Sequence, residues 1–148
     1  MKSPLLLIVL LILLAGCDDN GCDDIACWPT QSDFSAKLCG DYYIHRSSAH
    51  QISVSPISWF GDTPIIPAKI VELGHDDRFI IAKQNHLKLR GSKHSYMEPN
   101  PGLYSYWILD VSVPKAYGPL TEVEFEKKRK ELDIPKKLVM KDINSYRK

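Results

Sequence analysis

Five histidines, at positions 45, 50, 75, 86 and 94, share the chain with many serines and the paired acids Asp76-Asp77. Those residue types are the materials of nucleophilic hydrolysis, in which histidine takes a proton from serine and a carboxylate orients the ring. A triad is defined by geometry, however, and the sequence offers no Gly-x-Ser-x-Gly elbow to raise a serine for attack. It also has no His-Glu-x-x-His, no P-loop and no dinucleotide fingerprint. His45 and His50 flank an expected hairpin turn, His75 falls in a turn and His94 in a loop, where an exposed imidazole needs no catalytic role. Adjacent turn acids such as Asp76-Asp77 ordinarily favour the turn itself. No catalytic residue is assigned on these grounds, and no cofactor is expected.

The acidic stretch Cys17-Asp-Asp-Asn-Gly-Cys22-Asp-Asp superficially resembles a calcium loop. An EF-hand loop places Gly sixth after a first Asp, and counting back from Gly21 gives Gly16, so the pattern fails. Four cysteines lie at 17, 22, 27 and 39, without the tight Cys-x2-Cys hook of a zinc site. No metal site is assigned.

Lys2 precedes Leu5–Leu14, ten consecutive large aliphatic residues, and then Leu14-Ala15-Gly16-Cys17. Such a run covers roughly 15 Å as a helix, about half of a hydrocarbon core, which is the length of a signal-peptide apolar region. The tetrapeptide resembles the lipobox of bacterial lipoproteins. That resemblance implies removal of residues 1–16 as a signal peptide and attachment of diacylglycerol to the sulfur of Cys17. Two or three acyl chains on one residue would make a durable anchor, where a single chain holds only marginally. Membrane lipid is thus the first expected partner, and the expected location is the extracytoplasmic face of the cell membrane. Asp18-Asp19 resembles the signal that retains lipoproteins in the inner membrane of enteric-type Gram-negative bacteria. In such a host, that implies the periplasmic side of the inner membrane.

Lipidation of Cys17 leaves three thiols in a compartment that permits disulfides, so one internal bridge can form and one thiol is left over. Cys39 should belong to it, because it sits beside the first expected strand while Cys22 and Cys27 lie in the tether. Cys27 is the preferred partner, since a bridge from Cys22 would leave Cys27 free inside the closed loop. Free thiols remain an open alternative.

Charge is distributed unevenly. The whole chain carries +1, which gives no reason to expect nucleic acid. Residues 17–77 hold ten acids and three bases, net −7, whereas 78–148 hold fifteen bases and eight acids, net +7. A half of that sign would meet an acidic partner in the envelope. The expected contact residues are Lys93, His94 and Tyr96 in the loop 91–102, and Lys127 and Lys130 on the charged face of a helix. Trp59-Phe60, in a loop with Pro and Gly, is expected to be buried.

The elements that must hold these residues are mostly strands. Residues 17–38 read as a flexible acidic tether, and 39–148 as one domain. Asp41–Arg46 and Gln51–Ser55 form one hairpin; Ala68–Leu73 and Arg78–Gln84 form the clearest one, turning at Gly74–Asp77. Leu87 and Leu89 alternate with polar neighbours. Residues 103–113 are the strongest strand, with Trp107, Leu109 and Val111 on one face and Tyr104, Tyr106 and Ile108 on the other. A short strand at Ala116-Tyr117 precedes one confident helix. Thr121 and Glu124 make its capping box, Leu120 and Phe125 its hydrophobic staple, and Glu124–Lys128 and Glu126–Lys130 its expected ion pairs. Phe125 and Leu132 mark its buried face, Ile134-Pro135 its end, and another short strand is expected near Leu138–Met140.

The fold class is therefore α+β: a twisted antiparallel sheet of about five or six strands packed against one C-terminal helix. Tyr106-Trp107-Ile108-Leu109-Asp110, Ala116-Tyr117-Gly118-Pro119-Leu120-Thr121, Phe125 and Arg129–Pro135 are similar to a family of small bacterial lipoproteins, a domain of unknown function. The resemblance covers roughly 40–135 and carries no catalytic residues. The expected activity is non-enzymatic: an accessory, binding or immunity-type envelope protein, with an envelope hydrolase as the alternative.

Overall fold

The structure, a computed structural model, describes residues 33–147 apart from 59, 60, 62, 64 and 92–96. A three-stranded antiparallel sheet joins β1 (Phe34–Lys37), β2 (Tyr42–Arg46) and β3 (Ile52–Pro56) in chain order. A five-stranded antiparallel sheet contains β4 (Ile70–His75), β5 (Phe79–Leu89), β6 (Met97–Asp110), β7 (Lys115–Leu120) and β8 (Lys141–Asp142), in the order β7-β6-β5-β4-β8. Helix α1 (Glu122–Glu131) follows β7, and a 3-10 turn at Ile143–Tyr146 follows β8.

Three layers result. Ile44, Ile52 and Val54 from the small sheet meet Ile70, Leu73, Ile80, Ala82 and Leu109 from the large one in the first core. The opposite face of the large sheet supplies Phe79, Ile81 and Ile108 to a second core, closed by Phe125, Ile134 and Leu138. Phe79–Ala82 is a continuous apolar run for this reason: with both faces covered, each successive side chain enters a core. On β6 the expected alternation holds, with Trp107 and Leu109 toward the first core and Tyr106 and Ile108 toward the second.

The capping box forms as expected. Glu124 N donates to Thr121 Oγ1 at 3.3 Å, and Thr121 N donates to Glu124 Oε2 at 2.8 Å. That arrangement corrects the expected ion pairs, since the Glu124 carboxylate is taken by the cap and pulled below the usual carboxylate range by the Thr121 backbone and hydroxyl. The helix pairs instead at i,i+3, Lys128 with Glu131 at 2.7 Å and Glu126 with Arg129 at 3.6 Å. Phe125 stacks on Tyr106 with ring centroids 5.0 Å apart.

Several element boundaries differ from expectation; the strand expected over 103–113 ends at Asp110, and the one expected at Ala116-Tyr117 runs over Lys115–Leu120. Strand β1 falls inside the segment read as tether, where it pairs with β2 from Phe34↔Arg46 to Lys37↔Tyr43. The reversal after β4 is made by Asp76, whose Oδ1 accepts from Arg78 N and Phe79 N, and Gly74 lies within the strand. Gly74 is needed for close approach: a Cβ there would strike the Val139 backbone. Much of the expected loop 91–102 is strand, because β6 starts at Met97 and pairs Met97 with Leu89. Its register then slips between Leu87↔Pro99 and Asn85↔Tyr104, leaving residues 100–103 as a bulge. Finally, Leu138 is buried in the second core, and the chain joins β4 only afterwards, through Leu73↔Lys141.

Candidate functional site

The expected contact residues fall on two features. Lys127 and Lys130 are both exposed on α1, three residues apart and therefore on one helix face. Val123, 80% exposed, lies one turn before Lys127, and Glu122 and Glu126 border the same surface, so the face combines an apolar group with charges of both signs. Lys93, His94 and Tyr96 lie outside the described residues, between the ends of β5 and β6.

Those two strands outrun their neighbours. The β4–β5 register reaches Ile70↔Gln84, with Lys69 and Asn85 exchanging one further backbone pair, and the β6–β7 register reaches Tyr106↔Leu120. Beyond those points, among the described residues, β5 and β6 pair only with each other. This two-stranded ribbon exposes Leu89, Met97, Leu103 and Tyr104. Lys88 and Arg90 both face Glu98, at 3.6 and 3.8 Å, so the ribbon keeps an excess of base. Sequence reasoning singled out Lys93, His94 and Tyr96 and missed the exposed Met97 and Leu103 of the same ribbon. Alternating Leu87 and Leu89 before the Pro/Gly-rich segment, with Met97 inside it and Leu103 directly after it, was the available signal.

The histidines are dispersed. His45 Nδ1 lies 3.1 Å from Ser35 Oγ, His50 Nδ1 lies 3.5 Å from Lys69 Nζ, and the His75 ring faces Tyr146. His86 Nε2 and the buried Ser105 Oγ share a 2.6 Å hydrogen bond across β5 and β6. His94 lies outside the described residues. Asp76 does turn work, as expected. Among the described residues, no group of three His, Cys, Asp or Glu gathers as a metal site.

Cys39 is buried, 7% exposed, beside the start of β2, and has no disulfide partner among the described residues. Burial, reinforced by the charges of Asp76 and Asp77, pushes its pKa up to about 11, so it stays protonated at neutral pH. Its expected disulfide partner Cys27, the alternative Cys22, the lipidation candidate Cys17 and the pair Trp59-Phe60 lie outside the described residues. Among the described residues, no helix is long and apolar enough to cross a membrane.

The model of a family of proteins of unknown function, DUF3997, matches residues 39–144. The chain belongs to the DUF3997 family. The matched segment runs from Cys39 through β2 into the 3-10 turn, so the DUF3997 domain takes in all of the large sheet and α1, and among the described elements β1 and the end of the 3-10 turn lie outside it. No curated protein and no solved structure matches the chain. The resemblance to a domain of unknown function thus extends further toward the C-terminus than residue 135. The match lies wholly C-terminal to Cys17 and does not bear on the lipobox.

Proposed function

We propose that this DUF3997 protein is an envelope lipoprotein, acylated on Cys17 and acting by binding an acidic protein partner rather than by catalysis. The observation that carries the anchor is Leu14-Ala15-Gly16-Cys17 directly behind Leu5–Leu14. The body would sit on the extracytoplasmic side, and in an enteric-type Gram-negative host Asp18-Asp19 favours the inner membrane. Support for binding comes from the surface: a helix face with exposed Val123 beside Lys127 and Lys130, and a projecting ribbon with exposed Leu89 and Leu103. Exposed apolar residues rimmed by like charge are how partner-binding surfaces combine affinity with steering.

Intact mass spectrometry of protein extracted from membranes should show a lipid-bearing chain beginning at Cys17, and Cys17→Ser should move the protein to the aqueous fraction. A Cys17→Ser protein that stays wholly membrane-bound overturns the anchor. Once a partner has been crosslinked in native membranes, charge reversal at Lys93, Lys127 and Lys130 should slow association at low salt. An unchanged on-rate removes the steering argument.

One observation favours a second reading, a hydrolase of envelope material. Ser105 and His86 stand at the separation of a nucleophile and its general base. A fluorophosphonate probe would label Ser105 in such an enzyme, and absence of labelling counts against it.

A further inference from the structure

Arg46, at the end of β2, and Lys69, just before β4, line one crevice where the two sheets meet the C-terminal 3-10 turn. Arg46 Nη1 donates to Asn144 Oδ1 at 3.1 Å, which fixes the guanidinium against that turn. Its Nε, by contrast, is buried and has no hydrogen-bond partner among the described residues. An ionised donor left unsatisfied out of water is costly, so the position calls for an acceptor. Lys69 brings a second cation into the same space, with His50 Nδ1 at 3.5 Å from its ammonium. Burial, and then the charge of Arg46, holds the Lys69 pKa below the usual lysine range. The neighbour felt by this lysine is repulsive, the reverse of a lysine satisfied by an ion pair. Asp142 also lines the crevice, but its Oδ1 accepts from Asn144 N and Asn144 Nδ2, both at 2.8 Å, as the cap of the 3-10 turn.

The crevice encloses about 190 Å³, well beyond the roughly 30 Å³ share of a single water. We propose that it binds a phosphate group, carried either by inorganic phosphate or by the headgroup of an anionic lipid. A guanidinium offers a planar fork and an ammonium a rotatable point charge, the two donors most often used on phosphate oxygens. Arriving here from different elements, they suit a tetrahedral anion with oxygens on several sides better than a planar carboxylate. None of these residues belongs to the proposed partner surface on the ribbon and α1. The proposal is therefore independent of that surface.

The test uses the full-length protein in zwitterionic detergent, titrated calorimetrically at constant ionic strength with inorganic phosphate, dihexanoyl phosphatidic acid and dihexanoyl phosphatidylcholine. Saturable binding of one equivalent of phosphate or phosphatidic acid is expected. Lys69→Gln and Arg46→Gln should each weaken it about tenfold or more, and the distant Lys136→Gln should leave it unchanged. Tighter binding of phosphatidic acid identifies the lipid as source, and tighter binding of phosphate identifies the free anion. Should Arg46→Gln fail to fold, Lys69→Gln alone decides. Absence of saturable binding, equal binding of phosphatidylcholine, or binding indifferent to Lys69→Gln overturns the site.

Discussion

Replacing Asp110 by Asn tests how the end of the large sheet is held together. Asp110, at the last position of β6, is 1% exposed and accepts from Arg78 Nη2 at 2.7 Å, from Arg78 Nε at 3.2 Å and from Ser112 N and Oγ at 2.9 and 2.6 Å. These bonds, led by that of Arg78, pull its pKa from 3.8 to about 2. At about 1.4 kcal/mol per pKa unit the full shift corresponds to about 2–3 kcal/mol. Arg78 is 54% exposed, so water screens the pair, and about 1–2 kcal/mol is the expected contribution. Because the folded-state pKa is depressed, this stability is fully present above pH 4 and is lost as pH falls through 2. Urea unfolding followed by tryptophan fluorescence, on wild type and Asp110→Asn from pH 7 to pH 2, measures it directly. The stability difference between the two proteins should be largest at pH 7 and have mostly disappeared by pH 2. A difference of the same size at both pH values would refute the assignment, since it would mean that the carboxylate charge contributes nothing beyond its shape.

Two further outcomes follow from the packing. Phe125→Ala removes the only buried side chain of α1, 2% exposed, and should cost about 3–5 kcal/mol in urea unfolding; a loss below about 1 kcal/mol would show that the helix does not close the second core. Cys39 should resist iodoacetamide at pH 7 in the native protein and be alkylated once the protein is unfolded in urea without reductant, as read by peptide mapping. Rapid native labelling contradicts its burial, whereas labelling only after reduction places it in a disulfide, as the sequence expectation of a bridge to Cys27 requires.

What was legible in the sequence was what a short window determines. The α1 cap needs only Thr121 and Glu124 three residues apart, and the strand character of β5 needs only its own apolar run. Gly74 misleads because its reason lies 65 residues away, in the Val139 backbone that crosses it. Likewise the Pro and Gly of 97–102 signal a loop locally, while pairing with β5 draws them into a strand and confines the irregularity to a bulge. Strand β1 has four residues and no strong pattern, so only its partner β2 makes it a strand. Both cations of the phosphate crevice were visible as charges, but Arg46 and Lys69 belong to different elements. Only the stacking of two sheets puts them side by side.

The same layering dictates where this molecule can act. A sheet whose central strand buries Phe79, Ile80, Ile81 and Ala82 has no free face, because one side is closed by the small sheet and the other by α1. The proposed recognition therefore uses what the layers leave over: the outer face of the helix, the ends of strands that extend past their neighbours, and the seam between the sheets. The ribbon and the seam each hold an excess of basic side chains, in Lys88 and Arg90 against Glu98 and in Arg46 and Lys69 against Asp142, while Lys127 and Lys130 on the helix share their surface with Glu122 and Glu126. The sign of these basic groups is shared although their elements are not, and an acidic partner could engage them separately. The seam differs in chemistry from the other two. Its Arg46 Nε is buried and, among the described residues, unpartnered, which suits the proposed small anion, whereas the ribbon and helix expose apolar groups, which suit a protein surface.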